Sequence, residues 1–265
     1  MKGAGHQRVQ PPGHWFAPPG SRLTGLGRLR QSPESSRRTA RRDLRWSANR
    51  SQQSSPAHPI IQRMLPYVIR AAFSEHEVRV YQAYRAEIAV PALTAGRFVP
   101  PFSMGRMTWI KPSFNWMMYR CGYATKVGQE VVLCIDITRE GFEWALEHAV
   151  LSSYNPSIHS LHDEWRNLLA EAPVRVQWDP ERDWRLRVLE NVRAIQIGLS
   201  GEAVGRYVNE WVVRLEDVTP VARRLAAKLK SEATPDSLPD KLEMPYPLSS
   251  ALRMKLSRTI LPTPD

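Results

Sequence analysis

The stretch from Phe102 to Tyr123 constrains the fold most, because it contains a strand and a helix separated by an obligatory break. Met107 to Ile110 is short, apolar and partly β-branched, which is typical of a buried strand. Pro112 disfavours the α region for the residue before it, Lys111, so the strand ends there. Ser113 is a good N-cap, and it predicts a helix that begins at the next residue.

The start of this helix is the first candidate site. Free N–H groups at a helix start favour an anion, Lys111 lies just before them, and Arg106 is close in sequence. These features predict a phosphate or carboxylate site. The alternative is that Lys111 and Arg106 are solvated surface charges and that the neighbouring tryptophans belong to the core.

Aromatic and basic residues recur together along the chain. This mixture suits stacking on a base while a cation holds a phosphate. Each pair alone is equally consistent with ordinary packing. The predicted substrate-binding residues are Arg70, Tyr81, Arg106, Trp109, Lys111, Ser113, Trp116 and Arg120.

Two aspartates are the candidate catalytic bases, Asp136 and Asp179. Asp136 is the only charge in the apolar strand Val131 to Ile137, and a buried carboxylate needs a partner or its pKa rises. A structural ion pair with an arginine such as Arg139 or Arg70 is favoured over a role as general base. Both interpretations stay open.

The run Asp179, Glu181 and Asp183 alternates on a charged turn and has ligands that suit a hard cation. Such runs are more often solvated turns with local arginine pairs, here Arg182 and Arg185. We therefore expect no metal site, and no pattern in the chain identifies a cofactor.

The net charge of +11 would normally suggest a nucleic-acid partner. Residues 1–63, however, hold 12 of the 37 basic residues and only 2 of the 26 acidic ones, so the rest of the chain is nearly neutral. Their Pro-, Ser- and Arg-rich composition predicts a disordered leader. It is a basic arm touching nucleic acid, an organellar transit peptide, or the product of an early start codon with Met64 as the true start, which we favour.

The two cysteines, Cys121 and Cys134, lie in apolar runs and are expected to be reduced core residues of a cytoplasmic protein. No stretch approaches the ~18 apolar residues of a membrane span. We therefore expect no membrane partner.

Helical and strand patterns interleave from residue 64 to 230, which predicts one α+β domain with a mixed β-sheet flanked by helices. The capping-box pattern Ser74-x-x-Glu77 predicts a helix to about Val90. No GxGxxG follows the first strand, which argues against a doubly wound nucleotide fold. Residues 231–265 contain several prolines and are expected to form a C-terminal tail.

Several segments together resemble the "domain of unknown function 4291" family over about Met64 to Thr219. They are IRA at 69–71, VYQAY at 80–84, RMTWIKPSF at 106–114, WMMYR at 116–120, ITR at 137–139, QWDPER at 177–182 and RAIQIGL at 193–199. The resemblance implies that these segments belong to one domain. It implies no catalytic role.

Two functions remain open from the sequence. The first is an enzyme acting on a nucleotide or nucleotide-containing substrate through a cationic, aromatic-lined pocket. The second is a nucleic-acid binding module without turnover, which would bind oligonucleotides with a steep dependence on salt. The oligomeric state is not encoded in any pattern of the chain.

Overall fold

The computed structural model describes residues 67–231, 235 and 237–262. The predicted leader, residues 1–63, lies outside these described residues. The strands are β1 (Arg70–Ala71), β2 (Glu77–Tyr84), β3 (Thr108–Ile110), β4 (Val131–Thr138), β5 (Ala149–Leu151), β6 (Val174–Arg182), β7 (Val188–Leu199), β8 (Val212–Asp217) and β9 (Met244–Pro245). The helices are α1 (Ala86–Ala95), α2 (Phe114–Cys121), α3 (Arg139–Glu147), α4 (His162–Glu171), α5 (Glu202–Arg206), α6 (Thr219–Lys230) and α7 (Ser250–Leu256).

Two larger sheets and one small one form the framework. The first is antiparallel with the order β2-β4-β8, and the second has the order β3-β7-β6-β5, in which only β5 runs parallel to its neighbour. Strands β1 and β9 form a two-stranded antiparallel sheet. The two larger sheets meet where Tyr81 and Lys111 exchange backbone hydrogen bonds of 2.8 and 3.2 Å. The predicted α+β class is thus confirmed.

Strand β4 is apolar along its length because both of its faces are buried. One face, including Leu133, Ile135 and Ile137, belongs to the main core between the sheets and α1, α3 and α5. The other face, with Val132 and Cys134, packs against the side chains of α2 and α6. A strand covered on both sides favours a near-continuous apolar run over strict alternation.

The helix predicted from Ser74 is wrong, because this segment is the turn and second strand of a hairpin. Ser74 accepts hydrogen bonds from the N–H groups of His76 and Glu77 through its hydroxyl, but the chain then extends as β2. The local bonds of a capping box also fit a tight turn. The alternation of Val78 and Val80 on the buried face decides for a strand, since register with β4 buries both completely.

Residues 237–262, assigned to a tail by the sequence, contribute to the packing of the same fold. Strand β9 pairs with β1, and Trp178 donates its indole N–H to the carbonyl of Ile260 at 2.7 Å. Leu256 and Ile260 are fully buried. A 3-10 turn, Pro239–Leu242, leads into β9 and crosses the start of α2, where it places two carboxyl groups.

Cys121 and Cys134 are buried free thiols, as expected from their apolar surroundings in the sequence. Within the described ranges, no helix has both the length and the apolar character needed to span a bilayer.

Candidate functional site

The strand, break and helix predicted around Pro112 are confirmed. Strand β3 ends at Ile110, and the hydroxyl of Ser113 caps α2 by accepting from the N–H of Trp116 at 3.1 Å. The helix ends at Gly122, whose φ of 60° allows the left-handed C-cap that a side chain would resist. This segment fixes the direction in which the residues on either side of Pro112 point.

The start of α2 holds a carboxyl group of the protein itself. The N–H of Phe114 donates to Glu243 at 2.7 Å, and the hydroxyl of Ser113 donates to Glu181 at 3.0 Å. An external phosphate would have to displace Glu243 to reach these N–H groups. The structure therefore does not bring Ser113 together with an open cationic hollow.

Around this helix start lies a group of three carboxyls, Glu181, Asp240 and Glu243. Asp240 accepts from the side-chain amide of Asn115 at 2.8 Å. Burial, and secondarily the neighbouring carboxyls, raise the pKa of Glu243 well above its usual range, and burial also raises the pKa of Glu181. Arg70 donates to the main-chain carbonyl of Glu243 at 3.2 Å. Three carboxyl groups that bond to the start of α2 and to its neighbours favour a structural cluster over a phosphate site.

Sequence reasoning missed the role of Glu243, which lies 129 residues from its partner Phe114. No local pattern signals such a contact. Glu181 belonged to the acidic run that the sequence singled out, but it was expected in a solvated turn, and an irregularity of β6 between Pro180 and Arg182 sets its position.

Lys111 lies on the other side of Pro112 and is only 6% exposed. Its Nζ donates to the carbonyl oxygen of Trp109 at 3.1 Å. Among the described residues, no carboxylate oxygen lies within 4.0 Å of this amine. Burial, followed by the positive charge of Arg120, lowers the pKa of Lys111 to about 7, although Asp179 partly opposes the shift.

Lys111 belongs to one face of the four-stranded sheet, which we call the Lys111 face and define by Trp109, Lys111, Gln177, Asp179 and Gln196. The pairing of Trp109 with Gly198 and of Gln177 with Gln196 sets these residues on the same side. Gln177 is exposed, while Trp109 and Asp179 are half-buried. Lys111 and Gln196 are buried, so the exposed part of the face lies on β6 at Gln177.

Gly198 is required on the Lys111 face because the indole of Trp109 lies directly on it. A Cβ added to Gly198 would stand 2.9 Å from two atoms of that ring. The contact holds one part of the indole against the sheet. Trp109 as a whole remains half-buried.

The carboxyl of Asp179 is held by two glutamine amides. Gln177 donates to one of its oxygens at 3.1 Å, and Gln196 donates to the other. Burial raises the pKa of Asp179, while these two amides and the charge of Lys111 oppose the rise. Asp179 is thus a carboxyl that binds a proton more readily than an exposed one and lies near an amine.

Helix α2 lies against β6 and supplies Arg120, which is exposed at the edge of the Lys111 face. No carboxylate of the described chain lies within 4.0 Å of the Arg120 guanidinium. Trp116 is 5% exposed and packs against Tyr119. Two cations lie over the ring of Tyr119, Arg182 at 3.9 Å and Lys126 at 5.6 Å from its centre.

Three predicted residues lie away from the Lys111 face or deep in the core. Tyr81 is 2% exposed and packs edge-on against Phe114, so it offers no ring to a ligand. Arg106 is exposed in the loop before β3. Asp136 lies in the other sheet and pairs with Arg79 and Arg214, not with Arg139 or Arg70.

The Asp136 pair follows from strand register, because Arg79 and Arg214 are its direct neighbours in β2 and β8. Burial alone would raise the pKa of Asp136, but hydrogen bonds and charges from the two arginines outweigh it and lower the pKa. An ionised carboxylate held by two guanidinium groups is a weak proton acceptor. The geometry favours the structural interpretation of Asp136.

Two other features lie outside the site. Asp183 caps the β6–β7 turn by accepting from the N–H groups of Arg185 and Arg187, and it forms a salt bridge with Arg187. Over the described part of the chain, no three His, Cys, Asp or Glu residues are arranged to hold a metal ion. A surface depression near the start of α6 contains none of the predicted site residues; it is lined by Val131, Asp217, Thr219, Pro220 and Arg223.

No curated protein matches the chain. The family described as Domain of unknown function (DUF4291) matches residues 68–244, which is more than half of the chain and includes both larger sheets and the Lys111 face. The chain therefore belongs to the DUF4291 family.

Proposed function

We propose that this protein is an enzyme acting on a nucleotide or nucleotide-containing substrate, which binds on the Lys111 face. The observation that carries the proposal is the buried amine of Lys111, which lacks a carboxylate among the described residues and feels the positive charge of Arg120, an exposed arginine that also lacks one there. A second positive charge nearby disfavours the ammonium form of a buried lysine. A phosphate between them would remove that cost.

The rest of the Lys111 face supports a substrate with a base. The indole of Trp109 is held against Gly198 and remains half-exposed, which suits stacking of a planar ring. Asp179 is the candidate general base or acid, because its two glutamine partners fix its orientation. Arg106 is exposed in the preceding loop and is free to reach a second phosphate.

The phosphate site in this proposal lies on the Lys111 face and not at the N-terminus of α2. The Glu243 carboxyl fills the helix start, whereas no carboxylate among the described residues lies within 4.0 Å of Lys111 or Arg120. We also propose a cytoplasmic location, which the two buried free thiols support.

Isothermal titration with ADP and NAD⁺ tests the proposal. We expect saturable binding, and we expect Arg120→Gln to weaken it by about 10- to 100-fold, since a charged hydrogen bond is worth ~1.5–3 kcal/mol. Arg253→Gln, at an exposed position in α7, is the matched control and should bind normally.

Proton uptake provides a second readout. A bound phosphate raises the pKa of Lys111 from about 7, so binding at pH 8 should take up close to one proton and binding at pH 6 almost none. Titrations in two buffers of different ionisation enthalpy measure this number. Absence of nucleotide binding, together with salt-steep binding of a single-stranded oligonucleotide, would establish the nucleic-acid module instead.

A further inference from the structure

The bonding of the Lys111 amine differs from that expected of a structural lysine. A buried ammonium has three donors and needs acceptors or a counter-ion. Lys111 has the Trp109 carbonyl as its hydrogen-bond partner, and no carboxylate of the described chain lies within 4.0 Å. This arrangement suits an amine that is uncharged for part of the time.

We propose that Lys111 is a nucleophile that forms an imine with the carbonyl carbon of an anionic aldehyde bound on the Lys111 face. The inference rests on the proposed function for the anion site, and it names the reactive group that the substrate carries. A sugar phosphate with a free anomeric carbon, in its open-chain form, belongs to this class. No activity of this kind follows from family membership.

Electrostatics make the amine available near neutral pH. The pKa of about 7 leaves roughly half of the Lys111 amines neutral at pH 7, whereas an exposed lysine is neutral in only about one molecule in a thousand at pH 7.4. A desolvated lysine next to another cation is an established way of activating this nucleophile. Arg120 supplies that second cation.

Asp179 carries the protons of the condensation in this proposal, because its charge acts on Lys111 and two amides hold its carboxyl. The neutral amine adds to the carbonyl carbon, and the carbonyl oxygen takes a proton from the acid form of Asp179. The nitrogen of the resulting carbinolamine then returns a proton to the Asp179 carboxylate. Loss of the hydroxyl group as water, with that proton, leaves the iminium ion, so that amine, aldehyde and one proton give iminium and water.

The iminium preserves the charge pattern of the site. It is cationic like the ammonium that it replaces, so a phosphate between it and Arg120 remains neutralised. A phosphate on the aldehyde therefore positions the carbonyl at Lys111. It also raises the pKa of the amine, as the phosphate of ADP does, so the attack proceeds from the fraction of Lys111 that is neutral. An aldehyde without the anion lacks this positioning.

Borohydride trapping with pyridoxal 5′-phosphate, an anionic aldehyde, tests the inference on the full chain. We expect one adduct per chain, mapped to Lys111 by peptide mass spectrometry, and ~100-fold slower labelling of exposed lysines at pH 7.4. At aldehyde concentrations far below saturation, the labelling rate of the wild-type protein follows the free protein and should rise with pH around an apparent pKa near 7. Pyridoxal, which lacks the phosphate, should label at least ~10-fold more slowly.

Lys111→Arg keeps the charge and removes the nucleophile, so it should abolish the single adduct, while Lys255→Arg on exposed α7 should label as the wild type. A label spread over lysines according to their exposure, or full labelling of Lys111→Arg, overturns the inference. The pH profile of the wild-type protein decides the case if Lys111→Arg does not fold, since a rate that only begins to rise above pH 9 also overturns it.

ADP has no aldehyde, and this separates the two proposals. ADP binding without a Lys111 adduct removes the imine and leaves the proposed function intact. An adduct at Lys111 that ADP neither blocks nor slows removes the nucleotide site and leaves a reactive amine.

Discussion

Asp136 in β4 and Asp179 in β6 occupy interior strands of the two larger sheets, yet they meet opposite surroundings. Asp136 pairs in register with an arginine on each side, and its pKa is lowered. Asp179 is held by neutral amides near a lysine that has no ion pair in the described chain, and its pKa is raised. The charge of Asp136 is neutralised by arginines of the protein, whereas the positive charge of the lysine near Asp179 remains available to an anionic ligand.

The difference teaches how to separate structural from functional carboxylates in this fold. Strand register delivers Arg79 and Arg214 to Asp136 as direct neighbours, so the contact belongs to the sheet itself. No strand neighbour of Asp179 is charged, because Ala194 lies opposite. Positive charge near Asp179 comes from Lys111 and, in β7, from Arg193 next to Ala194.

The largest effect is expected from Asp136→Asn. It leaves the mostly buried Arg79 without its counter-ion, which costs on the order of 3–5 kcal/mol in the free energy of unfolding. The folded pKa of Asp136 lies below its unfolded value, so its contribution is present above the unfolded pKa and is lost as pH falls through the folded pKa. Urea unfolding should therefore show the same loss from pH 6 to 9, and a loss below 1 kcal/mol would break the comparison.

Lys111→Met should increase the free energy of unfolding, and the increase should depend on pH. The folded pKa of about 7 lies below the unfolded pKa of 10.5, so burial of the ammonium destabilises fully below pH 7, and the penalty disappears as pH rises to 10.5. We expect the variant to be on the order of 3 kcal/mol more stable than the wild type at pH 6. The gain should shrink steadily in urea unfolding at pH 7.5 and 9, and a pH-independent difference would contradict it.

Gly198→Ala tests the contact between the Trp109 indole and the sheet, and it should have the smallest effect on the free energy of unfolding. Its Cβ would stand 2.9 Å from the Trp109 indole, and the ring must move, at a cost of about 1–2 kcal/mol. Gly205→Ala in α5 is the matched control, since no atom lies within 4 Å of its added Cβ, and it should be neutral or slightly stabilising. Thermal unfolding of the two variants side by side measures the difference.

The sequence predicted well where backbone chemistry is local. Pro112, Ser113 and Gly122 determine where β3 ends and where α2 begins and ends, and all three act through their own φ and ψ or through bonds within a few residues. The same local reasoning failed at Ser74, where the bonds of a turn and of a helix cap are alike. Register with β4, which no local pattern records, decided for the strand.

The site was predicted only in part, because no local pattern in the sequence records strand register. Lys111, Trp109, Asp179 and Arg120 were recognised by residue type, but the Lys111 face exists because β6 and β7 align them. Tyr81 was expected to stack on a base and is instead buried against α2. Composition identifies a basic or aromatic side chain, and the direction in which it points depends on which sheet face its strand presents.

By itself, the sequence determined the strand, break and helix around Pro112 and the positions of the charged residues on them, because these depend on neighbours along the chain. Only the tertiary structure decided that Glu243 occupies the start of α2, that two arginines neutralise Asp136, and that Lys111 has no carboxylate partner in the described chain. Those outcomes depend on contacts between segments up to 129 residues apart. Strand register and burial, which are properties of the whole fold, set the charge state of each group.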